Sequence, residues 1–186
     1  MHWSTILPSS RVSPSNKSFD EFEDEALVVE LVPTKDILAE LGRRKKENQN
    51  KYLSVYSIDM NRLKYINDNF GHSEGDEALC RLANVLGKLT EEGEICARIG
   101  GDEFLVFCKG VSQEEVKNQI ELLTDQLKHR NYNVAIGMSY RTQCNNIEEM
   151  IKEAETRMYE AKTEYYQTKE QQSIASATNE EYIQLK

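Results

Sequence analysis

Arg98-Ile99-Gly100-Gly101-Asp102-Glu103-Phe104-Leu105-Val106-Phe107 sits between two apolar patterns. Before the glycines, Ile95, Ala97 and Ile99 alternate with polar or small residues; after the acids, Phe104 to Cys108 form a short apolar run. Two strands around Gly-Gly-Asp-Glu read as a β-hairpin whose turn tolerates positive φ and close backbone approach. A turn takes polar residues, yet two adjacent carboxylates pinned between apolar strands are unusual. By itself the stretch still reads as a solvated turn.

Upstream, Tyr52 to Ile58 is strand-like and ends at Asp59, expected at an exposed strand end. From there the chain runs Asp59-Met60-Asn61-Arg62-Leu63-Lys64-Tyr65-Ile66-Asn67-Asp68-Asn69-Phe70-Gly71-His72-Ser73-Glu74-Gly75-Asp76. If the two strands are neighbours, Asp59 and Asp102 lie side by side. Two carboxylates with one backbone carbonyl suit Mg²⁺, which takes oxygen ligands and keeps positions open for phosphates. Taken alone, Asp59 is equally a strand-end turn residue. Together, in this order and at this separation, the two stretches resemble the GGDEF domain of the diguanylate cyclase family. Its pattern is roughly D-x-D-x-F-K-x-I-N-D-x-x-G-H-x-x-G-D, then G-G-[DE]-E-F. The resemblance spans about residues 35–166.

Composition is consistent with this. The chain has 186 residues, enough for one domain with its own core plus tails. A net charge of −9 argues against a nucleic-acid binder, which needs a basic footprint. A nucleoside triphosphate remains compatible, because a few lysines and a metal ion offset local repulsion. The four cysteines, Cys80, Cys96, Cys108 and Cys144, form no C-x-x-C, and three sit in apolar patterns. They read as reduced core thiols of a cytoplasmic protein. No apolar run approaches a membrane span, so no membrane contact is expected.

The order of elements follows from periodicity. Residues 1–25, rich in Ser, Pro and then acids, read as a disordered tail or linker without a targeting peptide, and an upstream regulatory domain absent from this chain is a possible partner. The domain proper is expected at 26–166. Glu25 to Val32 reads as a short extended piece. Thr34 is a candidate N-cap for a helix through about residue 47, with Ile37, Leu38 and Leu41 as its stripe. A short helix is expected from Asn61 to Asn69. Another is capped by Ser73 and buries Ala78, Leu79, Leu82, Ala83, Leu86 and Leu89. Ser112 with Glu115 forms a capping box opening a helix striped by Val116, Ile120, Leu123 and Leu127. Tyr132, Val134, Ile136, Met138 and Tyr140 alternate with small or polar residues as a half-buried strand. Asn146 opens the last helix, and 167–186 reads as a flexible tail. The order β-α-α-β-β-α-β-α indicates an α/β (α+β) sandwich with an antiparallel hairpin, matching the nucleotidyl-cyclase and polymerase-palm architecture that the resemblance implies.

The resemblance also implies roles. Asp59, Asp102 and the Met60 carbonyl would ligate Mg²⁺ (or Mn²⁺), with Glu103 a further ligand or the base for a nucleotide hydroxyl. Lys64 would complete the catalytic set with Asp102 and Glu103. Asn67 and Asp76 would read guanine, since a carboxylate accepts from N1 and N2 of that base and adenine offers no such pair. On local sequence, however, Ser73-x-x-Asp76 is also a capping box. His72 would lie near the nucleotide, and Lys64, Lys162 and the amides of Arg62 and Leu63 near the triphosphate. The implied activity is condensation of two GTP into cyclic di-GMP across a homodimer interface. The alternative is a GTP-binding or dimerising GGDEF module without turnover. Three departures stand out. No D-x-L-T-x-L-x-N-R motif lies near the first helix. Tyr166 takes the place of the arginine in the family's G-R-N. Glu91 and Glu94 occupy the R-x-x-D positions of the family's product-binding inhibitory site, where acids repel a cyclic dinucleotide.

Overall fold

The computed structural model describes residues 31–47, 53–89, 94–109, 112–129, 132–142 and 146–184. The segment expected to be a tail, 1–25, lies outside them, as do Glu91 and Cys144. Leu53–Met60 (β1) is buried on both faces over its described side chains, Ser54, Ser57 and Asp59 as fully as Val55 and Ile58. It pairs antiparallel with Glu103–Lys109 (β3) on one side and with Val134–Arg141 (β4) on the other. Ile95–Arg98 (β2) pairs with β3 at the edge, giving the order β2-β3-β1-β4 in a four-stranded sheet. The chain before the first helix covers that edge: Leu31 bridges Arg98, and Val32 N–H donates to the Arg98 carbonyl at 2.8 Å. These two residues belong to the expected extended piece.

Helices cover both faces. Thr34–Glu47 (α1) and Ile147–Gln184 (α5) pack on the face carrying Val55, Ala97, Leu105 and Phe107. Leu63–Phe70 (α2) follows β1, and His72–Leu89 (α3) and Gln113–Lys128 (α4) pack on the face carrying Tyr56, Ile58, Phe104 and Val106. The alternation of neighbouring strand residues between the two clusters is the period of two of a pleated strand. The stripes expected for α3, α4 and α5 are buried at Ala78, Leu79, Leu82, Ala83, Leu86, Val116, Leu123, Leu127, Met150, Ile151, Ala154 and Met158. The Ser112–Glu115 capping box is present, and Asn146 Oδ1 accepts from Glu149 N–H to open α5.

Four expectations are corrected. In β4 the small residues Ala135, Gly137 and Ser139 are fully buried, while Val134, Ile136 and Met138 are only partly so. The small residues lie under α5, and a side chain at Gly137 would strike the Ala154 carbonyl and the Met158 amide of that helix. Small residues here let two backbones approach. Helix α1 begins one residue earlier than expected, with Thr34 already helical and the Pro33 carbonyl accepting from Asp36 and Ile37. Ser73 is likewise inside α3 rather than before it. Finally, α5 does not stop near 166 but continues to Gln184, because Ile147 to Gln184 contains neither Gly nor Pro and is rich in Glu, Lys, Gln and Ala.

Candidate functional site

The site is assembled where β1 and β3 end side by side. Asp59 faces Glu103 across the ladder, and Met60 N–H donates to the Asp102 carbonyl at 3.1 Å. Sheet pairing therefore brings Asp59, Met60, Asp102 and Glu103 together. Asp59 is not at an exposed strand end. It is 1% exposed, one residue inside β1, and points toward α5. Burial holds its carboxyl above the ordinary range; the Lys162 hydrogen bond acts against this, and the Asp102 and Glu103 charges add to it. Lys162 Nζ donates to Asp59 Oδ2 at 2.7 Å, whereas Asp59 Oδ1 is buried without a hydrogen-bond partner among the described residues. A buried carboxylate oxygen with no donor beside two further acids is costly unless a cation or water meets it.

The hairpin turn is tighter than its glycines suggest. Ile99 N–H donates to the Glu103 carbonyl at 2.9 Å, and Arg98 donates through Nε to Gly100 O at 3.2 Å and through Nη2 to Gly101 O at 2.7 Å. The turn does not use the positive φ its glycines tolerate: among described glycines only Gly71 has it, at 92°. Gly100 serves a different end: a Cβ there would lie 2.8 Å from Glu103 Oε2 and push that carboxylate aside. Arg98 thus fixes the turn that presents Asp102 and Glu103, a role the sequence pattern did not reveal.

After β1 the chain turns through Asn61 and Arg62 into α2. Asn61 is buried and its Nδ2 donates to Asn133 Oδ1 at 2.8 Å, tying the turn to the start of β4. Arg62 adopts a left-handed conformation (φ 65°, ψ 20°), uncommon outside glycine, and no side chain caps α2 there. Its guanidinium lies 4.0 Å from the Tyr65 ring centroid. Its N–H donates to the Tyr166 hydroxyl at 3.2 Å. Leu63 and Lys64 form the first turn of α2, with Lys64 exposed.

The third part joins α2 to α3. Asn67 lies over Gly75, whose missing side chain leaves the space that Asn67 Oδ1 occupies. His72 opens α3 and is exposed, as is Asp76. Because α3 starts at His72, Ser73 cannot be its N-cap, and the capping-box account of Asp76 falls. Glu94, expected to repel a cyclic dinucleotide, is buried (7% exposed) and raises the Tyr56 hydroxyl pKa, after burial and Cys108.

Chemically, the strand-end donors are all oxygens, the set a hard divalent cation takes. The residues fit Mg²⁺ through the orphaned Asp59 Oδ1, although among the described residues no three acidic, His or Cys side chains already converge as a cage. Lys162 is the cation that meets Asp59 here.

An antiparallel sheet sandwiched by helices, with carboxylates at the paired ends of its two inner strands, defines a palm-like cyclase domain. The chain belongs to the GGDEF-domain family of diguanylate cyclases: the family model "Diguanylate cyclase, GGDEF domain" matches residues 34–168. Diguanylate cyclase DgcM of Escherichia coli (strain K12) is 30% identical over 117 residues, covering 60% of this chain and 28% of that protein. The chain therefore spans well under two thirds of that relative. The structure of the active GGEEF domain of a diguanylate cyclase from Vibrio cholerae is 28% identical, with a TM-score of 0.60 over 72% of this chain and 92% of that one. The GGDEF domain of DgcB from Caulobacter crescentus in complex with c-di-GMP shares the fold, with a TM-score of 0.64 at 21% identity over 79% and 93% of the two chains. Among the described residues no helix is long and apolar enough to cross a membrane.

Proposed function

We propose that this chain is a diguanylate cyclase that condenses two GTP into cyclic di-GMP, with the domain at about 26–166 and two copies facing each other. The observation that carries the proposal is the buried, unpartnered Asp59 Oδ1 held by strand pairing beside Asp102 and Glu103. Asp59, the Met60 carbonyl, Asp102 and Glu103 would hold Mg²⁺ (or Mn²⁺), which when bound neutralises triphosphate charge and polarises the α-phosphorus. The amides of Arg62 and Leu63, with Lys64 and Lys162, receive the triphosphate. Asn67 and Asp76 receive the guanine edge, with His72 beside them. Glu103 accepts the proton of the 3′-hydroxyl as that oxygen attacks the α-phosphorus of the facing nucleotide. Pyrophosphate leaves, and the same step in reverse register closes the ring. Positioning and charge neutralisation carry most of the catalysis, and one domain holds half of the reactants, which makes the homodimer part of the mechanism. Cytosol suits the thiols: Cys96 is buried and its pKa is pushed up to about 12.

A second reading, GTP binding without turnover, draws on Lys162 holding one oxygen of Asp59 and on the Tyr166 hydroxyl taking the Arg62 N–H, two contacts that compete with the groups turnover needs. Purified protein incubated with GTP and Mg²⁺, its products separated by chromatography, decides between them. Cyclic di-GMP in wild type and none in Asp59→Asn or Asp102→Asn is the expected result. GTP binding without product selects the second reading. Undiminished turnover in both variants overturns the carboxylate site.

A further inference from the structure

Helix α5 places two side chains on this site. Lys162 and Tyr166 are one turn apart and therefore share a helix face. The Lys162 ammonium meets Asp59 Oδ2 at 2.7 Å, and the Tyr166 hydroxyl oxygen accepts the Arg62 N–H at 3.2 Å. The first contact puts a cation on the carboxylate of the proposed metal site. The second puts a neutral oxygen on an amide of the proposed triphosphate site. Arg62 is held with φ 65°, so its N–H direction is set by the turn rather than by Tyr166. Tyr166 itself is 44% exposed and its ring lies edge-on to that of Tyr165, centroids 5.3 Å apart, so solvent gives it room to swing away.

We propose that Tyr166 is a stand-in for phosphate: its hydroxyl takes the Arg62 N–H, and a nucleoside triphosphate must displace it, so Tyr166 lowers triphosphate affinity. The inference rests on the reading above that the Arg62 amide receives the triphosphate. Displacement is favourable because a phosphate oxygen makes a charge-assisted hydrogen bond, stronger than the one to a neutral phenol. It is incomplete in effect, because the phenol contact is lost in each binding event. A neighbouring observation fits the same state of the site: Asp59 has one oxygen taken by Lys162 and the other unpartnered. Both proposed ligand positions are thus touched by α5.

Calorimetric titration of the full chain in Mg²⁺ tests this, with a GTP analogue carrying a non-reactive methylene between the α- and β-phosphorus atoms, and with guanosine as the phosphate-free comparison. Tyr166→Phe should bind the analogue roughly three- to tenfold more tightly, the factor expected for one neutral hydrogen bond no longer competed for. Guanosine affinity should stay the same. Tyr166→Leu, which also lacks the hydroxyl, should move in the same direction. Weaker analogue binding in Tyr166→Phe would show that the hydroxyl instead donates to phosphate, and overturns the proposal. Unchanged analogue affinity with a lowered melting temperature would make Tyr166 a structural cap of α2, and overturns it too. If wild type binds neither analogue nor guanosine, the nucleotide-site reading fails first and takes this inference with it.

Discussion

Gly75→Ala separates stability from recognition, and the structure gives the sign of each. Gly75 is buried in the first turn of α3, with no positive φ, so the backbone accepts alanine. Replacing glycine by alanine in a helix gains about 0.5–1 kcal/mol. The new Cβ would collide with Asn67 Oδ1 and lie 2.9 Å from Asn67 Cγ. The colliding group is the end of a side chain, not backbone, so Asn67 rotates away at a cost of about 0.5–1.5 kcal/mol. The two effects nearly cancel, and the melting temperature should stay within roughly 4 °C of wild type. Recognition has no such compensation. In the proposed role of Asn67, an amide displaced from the base edge forfeits about 1–3 kcal/mol, or roughly five- to 150-fold in preference for guanosine over adenosine. Thermal melting alongside guanosine and adenosine titrations measures both. A melting temperature lower by more than about 8 °C with an unchanged base preference would refute the reasoning, since it would mean that the collision is absorbed by the helices and that Asn67 does not read the base.

Other expectations follow from the same geometry. Asp76→Ser should shift turnover from GTP toward ATP at an unchanged melting temperature; a fall worth about 1 kcal/mol with base preference intact would restore a capping role that the start of α3 at His72 excludes. Glu153 is held below the ordinary carboxylate range first by the Ser139 hydroxyl and then by Arg141 and Arg157, a network that ties α5 to β4. Its folded pKa is depressed, so it contributes stability above about pH 4.3 that is lost as pH falls through the lower folded value. Glu153→Gln should lower the melting temperature at neutral pH and make its decline toward about pH 3 shallower; an identical pH profile would exclude the network. Added cyclic di-GMP should leave the initial rate of product formation nearly unchanged, since Glu91 and buried Glu94 stand in the R-x-x-D positions; strong inhibition not relieved by more GTP would show a product site.

Much of the candidate site was legible because its residues are close in sequence or lie at strand ends. The apolar runs before Asp59 and after Glu103 marked β1 and β3, and their acids pointed to one place provided the strands were neighbours. Less legible were the residues that act through shape. Nothing in the local pattern showed that Gly75 makes room for Asn67, that Gly100 makes room for Glu103, or that Arg98 holds the turn through the Gly100 and Gly101 carbonyls. A glycine in a motif signals either handedness or close approach, and only the neighbouring backbone tells which.

By itself, the sequence determined the elements and the chemistry available to them: periods of two and 3.6 separate strands from helices, and the family pattern puts carboxylates, amides and lysines in a set order. Tertiary structure decided what those groups meet. Asp59 and Glu103 become neighbours through the β1–β3 register, across more than forty residues of chain. Lys162 and Tyr166 reach β1 and the turn after it because Gly137, with Ala135 and Ser139 beside it, lets α5 lie close against β4. The reason is physical: periodicity reports which face of an element is apolar, whereas the distance between two elements is set by side-chain size at the contact, and here the smallest side chains bring the last helix onto the strand-end acids.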